Sequence, residues 1–121
     1  MIIAVTGGRS YSDQAKVDAV LDAIWDQCNC KLTVVHGGAP GADACANAWV
    51  MAKRAHGANV RKVVHYAEWG KFGKAAGPIR NSEMLMAHKI DLLVAFPGGD
   101  GTADCVRKAR SRNIPVRAIE P

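Results

Sequence analysis

Residues 92–102 read Leu-Leu-Val-Ala-Phe-Pro-Gly-Gly-Asp-Gly-Thr, and this stretch decides the fold. Its first part, Leu92–Phe96, is short and apolar throughout, which is typical of a strand covered on both faces. Paired glycines follow the strand, and the periodicity then predicts a helix over Thr102–Arg112. A strand, a glycine turn and a helix in this order indicate one unit of an α/β fold with a parallel sheet.

The same order recurs on both sides of this stretch. Four more short runs rich in branched residues predict strands at Ile2–Val5, Leu32–Val35, Val60–Val64 and Ile114–Ile119. Helices are predicted between them around Val17–Trp25, Ala42–His56 and Pro78–His88. The alternation predicts a single Rossmann-like α/β domain over residues 1–121, a three-layer sandwich around a mostly parallel five-stranded sheet.

Composition and charge narrow the class of protein without naming a ligand. Apolar residues make up 49% of the 121 residues and charged residues 22%, as in an ordinary globular domain. The net charge of +5 is compatible with anionic partners and selects none of them. No stretch predicts a signal peptide or a membrane span, so we expect a cytoplasmic protein. We expect its four cysteines, Cys28, Cys30, Cys45 and Cys105, to be free thiols. Their spacing suggests no metal site, and we expect no cofactor.

Three predicted strands run into paired glycines, at Gly7-Gly8, Gly37-Gly38 and Gly98-Gly99. Glycine lets backbone approach a ligand closely, and the following helix offers free N–H groups that bind phosphate or carboxylate. Such loops gather at the carboxyl edge of an open α/β sheet. The alternative is that they only make turns. The P-loop and G-x-G-x-x-G fingerprints are both absent from the sequence.

Polar residues near these loops are the candidates for ligand contact. Arg9 is expected to meet a ligand charge, while Ser12 is expected to cap the first helix. Asp43 has two open interpretations, a hydrogen bond to a ribose hydroxyl or compensation of its helix dipole. Arg80 is expected at a helix N-terminus, where it opposes the dipole and so suggests a bound anion. Glu83 is either a dipole partner or a general acid/base.

The connection Tyr66–Gly77 combines aromatic residues, lysines and glycines. Long connections in small domains are often functional, so we expect a lid in which the aromatic residues Tyr66, Trp69 and Phe72 stack on a base while Lys71 and Lys74 meet phosphate. The alternative is that its aromatic residues cover the edge of the sheet or a subunit contact.

The segment Phe96–Thr102 resembles the P-G-G-x-G-T signature of the SLOG superfamily. That group includes the Lonely Guy phosphoribohydrolases and the DprA/Smf DNA-processing proteins. Over its full length the chain is similar to the YspA (cpYpsA-related) SLOG branch. Segments 6–9, 36–43 and 69–81 carry this second resemblance.

The resemblance implies that the protein binds or processes a nucleotide-derived ligand. In Lonely Guy enzymes the glycine loop and its threonine hold the phosphate of a nucleoside monophosphate. An arginine, matched here by Arg80 followed by Met84, and a glutamate cleave the N-glycosidic bond. Cys105 stands at the glutamate position. A thiol cannot do a carboxylate's work beside an oxocarbenium ion, which leaves Glu83 or Asp43 as substitutes.

We therefore expect a sensor or processing domain that binds a nucleotide or a nucleotide-derived phosphorylated ligand between the first and fourth strands. The first alternative is a nucleotide N-glycosidase with Arg80 and Glu83 as catalytic residues, and whether the protein is an enzyme stays open. The second alternative, single-stranded DNA binding as in DprA, rests on charge alone, and nucleic acid is the partner favoured least. Self-association is expected, with Trp49 and Trp69 as interface candidates. The expected ligand-binding residues are Gly7, Gly8, Arg9, Ser10, Gly37, Gly38, Gly41, Asp43, Trp69, Asn81, Gly98, Gly99, Gly101 and Thr102.

Overall fold

The computed structural model describes residues 1–29 and 31–121, so Cys30 lies outside the described residues. Five strands form one sheet in the order β3-β2-β1-β4-β5. They are β1 (Ile2–Thr6), β2 (Leu32–His36), β3 (Val60–Val64), β4 (Leu92–Ala95) and β5 (Val116–Ala118). Every neighbouring pair is parallel, so the sheet predicted as mostly parallel is parallel throughout.

Helices cover both faces of the sheet and complete the three layers. They are α1 (Gln14–Gln27), α2 (Ala42–Ala55), α3 (Trp69–Phe72), α4 (Ala76–Ala87) and α5 (Asp100–Ser111). Successive side chains of a strand point to opposite faces, and β1 shows this clearly. Ile3 and Val5 pack with α1 and α2, whereas Ala4 packs with α4 and α5. The α/β fold predicted from strand–helix alternation is confirmed.

The ends of two helices differ from the prediction. Asp13, rather than Ser12, caps α1, and its side chain accepts a hydrogen bond from Lys16 N at 3.0 Å. Helix α4 begins at Ala76, two residues before Pro78. Pro78 therefore lies in the first turn, where the missing N–H has no helical partner to lose.

The connection Tyr66–Gly77 is not an open loop. Helix α3 lies within it, and a 3₁₀ turn at Gly73–Ala75 leads directly into α4. No helix in the described part of the chain is long and apolar enough to cross a membrane.

The two central strands, β1 and β4, place the site. The chain leaves β1 toward α1 on one face and leaves β4 toward α5 on the other. The loops that follow these strands diverge and leave a crevice at the carboxyl edge, as at the switch point of other open α/β sheets.

Two histidines join the end of β3 to the end of α4. Nε2 of His65 lies 2.8 Å from Nε2 of His88, which is the C-cap of α4. One ring must donate and the other accept, so the contact needs at least one neutral imidazole. Burial, and then the neighbouring His88, lower the pKa of His65.

We expect this pair to make stability fall at mildly acidic pH. The folded pKa of His65 lies below its unfolded value of about 6.5, so its contribution is complete above that pH and is lost as the pH falls below it. The melting temperature should drop between pH 7 and pH 5, and His65→Gln should flatten that drop. His56→Gln, at an exposed histidine bonded only within α2, is the control. Equal pH slopes in wild type and His65→Gln would contradict the prediction.

Candidate functional site

A cavity of about 270 Å³ opens at the carboxyl edge between the ends of β1 and β4. The loops after β1, β2 and β4 all contribute to its wall, together with α4. Its lining residues are Thr6, Gly7, Gly8, Arg9, Ala39, Asp43, Arg80, Asn81, Gly99, Asp100, Gly101 and Thr102. The structure thus brings together at one edge the loops that the sequence analysis singled out.

A second cavity of about 230 Å³ adjoins the first. Arg9, Ala39 and Arg80 line both cavities, so these side chains form the boundary between them. The remaining wall of the second cavity consists of Gly37, Gly38, Pro40, Tyr66, Ala67 and Trp69. Backbone and two arginines dominate the first cavity, and aromatic rings contribute to the second.

Several glycines are required because the loops pack directly on one another. The backbone N–H of Gly8 donates to Pro97 O at 2.9 Å, and Gly8 O accepts from Ala42 N at 3.1 Å. A Cβ on Gly41 would overlap Gly8 O, and one on Gly98 would overlap the Thr102 hydroxyl. For these positions the structural interpretation of the glycines holds, because the fold itself leaves no room for a side chain.

The paired glycines after β2 make room for side chains of the second cavity. A Cβ on Gly37 would overlap the Arg80 guanidinium, and one on Gly38 would lie 2.7 Å from Cδ1 of Tyr66. Nδ1 of His36 accepts from Gly38 N at 3.0 Å and so helps to fix this turn.

Gly99 and Gly101 differ from the others. A Cβ at either position would meet nothing within 4 Å, yet both residues line the first cavity. Gly99 is the N-cap of α5. Because glycine has no side chain, the N-cap residue accepts no side-chain hydrogen bond from the first N–H groups of the helix. Packing therefore does not explain why these two positions are glycine.

Arg80 is held in place by two hydrogen bonds. Nη1 donates to Gly37 O at 2.7 Å, and Nε donates to Asn81 Oδ1 at 3.0 Å. Because α4 begins at Ala76, Arg80 lies in the second turn, and the expectation that it opposes the helix dipole was wrong. The guanidinium has five N–H donors, which leaves others for a ligand in either cavity.

Asp43 supports the loop after β2. Its Oδ2 accepts from Gly37 N at 3.1 Å and from Ala39 N at 3.2 Å, and the residue is 6% exposed. Burial raises the pKa of this carboxyl, while the Ala39 amide and the neighbouring charges of His36 and Arg80 oppose the rise. Oδ1 makes no hydrogen bond to the residues that the structure describes, and Asp43 lines the first cavity.

Asn81 ties α4 to α5. Its Nδ2 donates to Gly101 O at 3.2 Å and to Asp104 Oδ2 at 3.0 Å. The sequence analysis missed Asp104, although its spacing to Arg107 and Lys108 was a visible signal for a charged cluster. Partial burial raises the pKa of Asp104, but the hydrogen bonds from Asn81 and Lys108 outweigh it and leave that pKa lowered.

Several candidates do not reach either cavity. Glu83 is exposed, because Asn81, Met84 and Leu85 form the buried face of α4 and leave it on the solvent side. Its assignment as a catalytic residue therefore has no geometric support. Ser10 lines a shallow depression beside Pro97 and Gly98, and Lys71 and Lys74 line neither cavity.

Cys105 is a core residue. It is 0% exposed, packs with Ala4 and Met84, and its burial raises the pKa of the thiol to about 11. The thiol is therefore protonated at neutral pH and cannot stand in for the superfamily glutamate.

These features define a Rossmann-like domain with a glycine-lined crevice, and comparison with known proteins identifies its family. The family model "YspA, cpYpsA-related SLOG family" matches residues 1–72. The Gene 61 protein of Mycobacterium phage D29 is 42% identical over 117 residues, which cover 94% of this chain and 92% of that protein. The chain belongs to the YspA, cpYpsA-related SLOG family.

A solved structure shows the same fold. DNA processing protein A (DprA) from Streptococcus pneumoniae superposes with a TM-score of 0.70 at 19% sequence identity. The match covers 99% of this chain and 50% of DprA, so the chain spans about half the length of that protein.

Two glycines with positive φ allow the loop packing to be tested. Gly41 has φ +82° and Gly57 has φ +80°, but only Gly41 faces a neighbouring loop. Gly57→Ala should lower the free energy of unfolding by about 1–2 kcal/mol through its left-handed backbone alone. Gly41→Ala should cost clearly more, because its methyl group also overlaps Gly8 O and because φ +82° with ψ −126° lies close to the backbone region that only glycine adopts readily. Urea unfolding followed by circular dichroism measures both, and equal losses would show that the loop contact contributes nothing.

Proposed function

We propose that this protein binds a nucleotide or a nucleotide-derived phosphorylated ligand at the carboxyl edge of its sheet, as a sensor or processing domain. One observation carries the proposal. Gly99 and Gly101 line the cavity at the uncapped start of α5, where packing does not require glycine.

The phosphate is assigned to the start of α5. The first N–H groups of a helix and its dipole favour an anion, and the absence of side chains at Gly99 and Gly101 allows close approach. Thr102 lines the same wall, and Arg9 and Arg80 supply positive charge from the opposite side. Asp100 is exposed, so its carboxylate can turn toward solvent.

The sugar is assigned to Asp43 rather than to Asn81. The side-chain oxygen and nitrogen of Asn81 are already bonded to Arg80, Gly101 and Asp104. Asp43 retains Oδ1 for a ribose hydroxyl, and the two backbone amides on Oδ2 fix its orientation.

Cleavage of an N-glycosidic bond is the second candidate. Asp43 and Arg80 line one cavity, which favours it, whereas the exposed Glu83 and the buried Cys105 do not. We rank cleavage below binding, because Oδ2 of Asp43 is already engaged by the loop. Free base released from a nucleoside monophosphate, and lost in both Arg80→Ala and Asp43→Asn, would establish it.

Three further expectations stay predictions: single-stranded DNA binding, self-association and cytoplasmic localisation. DNA affinity that falls steeply with salt would support the first. For self-association, Trp49 is no longer a candidate, because it is 3% exposed and its Nε1 donates to Asp22 Oδ1 at 2.9 Å. Trp69 is 45% exposed and remains one.

The binding proposal predicts a thermal shift that depends on Gly99. The probes are nucleoside mono- and diphosphates, ADP-ribose and NAD. A compound present at about 100 times its dissociation constant should add roughly 2.7 kcal/mol, which raises the melting temperature by several degrees. A Cβ on Gly99 meets nothing within 4 Å, so we expect Gly99→Val to fold and to lose that rise. The rise is measured from each variant's own ligand-free melting temperature, because valine is a poorer N-cap residue than glycine.

Ala103→Val is the matched control. It enlarges an exposed side chain in the same first turns of α5, at a position that lines neither cavity. It should keep the full thermal shift. A Gly99→Val protein that binds as well as wild type would contradict the phosphate assignment.

A further inference from the structure

Arg9 covers an aromatic ring at the boundary of the two cavities. Its guanidinium carbon lies 4.8 Å from the centre of a Trp69 ring. Arg9 is exposed and makes no hydrogen bond or ion pair with the residues that the structure describes, so the indole is its principal partner. Arg9 and Arg80 both line the two cavities, and hydrogen bonds hold Arg80 in place. Arg9 instead rests on the indole of Trp69.

Trp69 is held by the fold rather than left loose on the surface. It is the first residue of α3, and its six-membered ring lies against Gly77, a buried residue in the first turn of α4. A Cβ on Gly77 would lie 3.3 Å from Cη2 of Trp69. An indole that packs against α4 and lines the second cavity offers a stacking surface for a planar ring.

The contact between Arg9 and Trp69 is one that a ligand can exchange. A cation–π contact at an exposed site is weak, whereas arginine and phosphate form charge-assisted, often bidentate hydrogen bonds. A phosphate at the start of α5 would lie in the cavity that Arg9 already lines. Arg9 would then leave the indole for the stronger partner.

We propose that Trp69 is the surface on which the ligand's base stacks, and that Arg9, which occupies that surface in the free protein, moves to the ligand's phosphate on binding. This inference rests on the proposed function. It specifies a ligand that carries both an anionic phosphate group and a planar base and that spans the two cavities. Either part alone is a poorer fit: a nucleoside must displace Arg9 without offering it an anion, and a phosphate uncovers the indole without covering it again.

The exchange makes the access of solvent to Trp69 depend on which part of the ligand is present. Inorganic pyrophosphate should draw Arg9 away and expose the indole. A nucleoside 5′-monophosphate should draw Arg9 away and then cover the indole with its base. Quenching of Trp69 by acrylamide should therefore rank pyrophosphate-bound above free, and free above nucleotide-bound. If Trp69 only covers the sheet or a subunit contact, neither probe changes its quenching.

Fluorescence quenching of the full chain tests this order. The variant Trp69→Phe keeps only Trp25 and Trp49. Subtracting its fluorescence from that of the wild type leaves the signal of Trp69. Arg9→Gln should raise quenching of Trp69 in the free protein and abolish the effect of pyrophosphate. Lys71→Gln is the control, because Lys71 is a cation of the same segment that lies over Phe72 instead, 5.0 Å from its ring centre. It should behave as wild type.

Affinity gives a second, independent readout. Because base–aromatic stacking contributes to affinity, Trp69→Ala should weaken the binding of adenosine and guanosine 5′-monophosphate by about tenfold or more. The same variant should bind pyrophosphate at least as tightly as wild type, because Trp69 lines only the second cavity and no longer competes for Arg9. A merely structural role for Trp69 would weaken the binding of both probes together.

The outcomes separate this inference from the proposed function. If pyrophosphate raises the melting temperature but leaves the quenching of Trp69 unchanged, Arg9 stays in place, and the inference fails while the phosphate site stands. The inference also fails, with the phosphate site intact, if Trp69→Ala binds nucleotides as well as wild type. If pyrophosphate and the nucleotides all fail to raise the melting temperature, the proposed function fails and the inference fails with it.

Discussion

The close approach of three backbone loops at one edge of the sheet is the constraint on which the rest of the structure depends. Gly8 donates to Pro97 and accepts from Ala42, so one glycine joins the exits of β1 and β4 to the start of α2. These contacts exist because β1 and β4 are neighbours in the sheet. They fix where α2 and α5 begin, and the position of α5 in turn sets the width of the cavity.

That constraint divides the glycines into two kinds that look identical in the sequence. Neighbouring atoms leave no room for a side chain at Gly41 and Gly98, whereas Gly99 and Gly101 face open space. The paired-glycine loops had two interpretations, a tight turn or contact with a ligand. They contain glycines that packing requires and glycines that packing does not require. Only the position of a neighbouring loop, which is far away in sequence, separates them.

Local patterns predicted most of the fold, because the strands lie in short runs rich in branched residues that can be recognised alone. The strand Val60–Val64 has the predicted bounds, and the helices lie where periodicity placed them. The start of α4 was missed because the sequence predicts Pro78 as the first helical residue, and Gly77 before it is a poor helix former. The contact of Gly77 with Trp69 depends on tertiary packing. Glu83 was misjudged for a related reason: its neighbours on α4, not its own chemistry, decide which side faces the cavity.

The proposed phosphate half of the site and the cleaving half implied by the resemblance to the Lonely Guy enzymes have different physical origins. The phosphate half consists of backbone at a helix start, which the sheet topology supplies whatever chemistry follows. The cleaving half needs a carboxylate at one helical position, and here that position, Cys105, packs into the core with Ala4 and Met84. The position is fully buried, and its thiol lies within hydrogen-bonding reach of Thr6, which lines the first cavity. A thiol cannot act as the superfamily's glutamate does, so cleavage would need a carboxylate elsewhere in the cavity wall. Asp43 lines that wall, but one of its oxygens already holds the loop after β2.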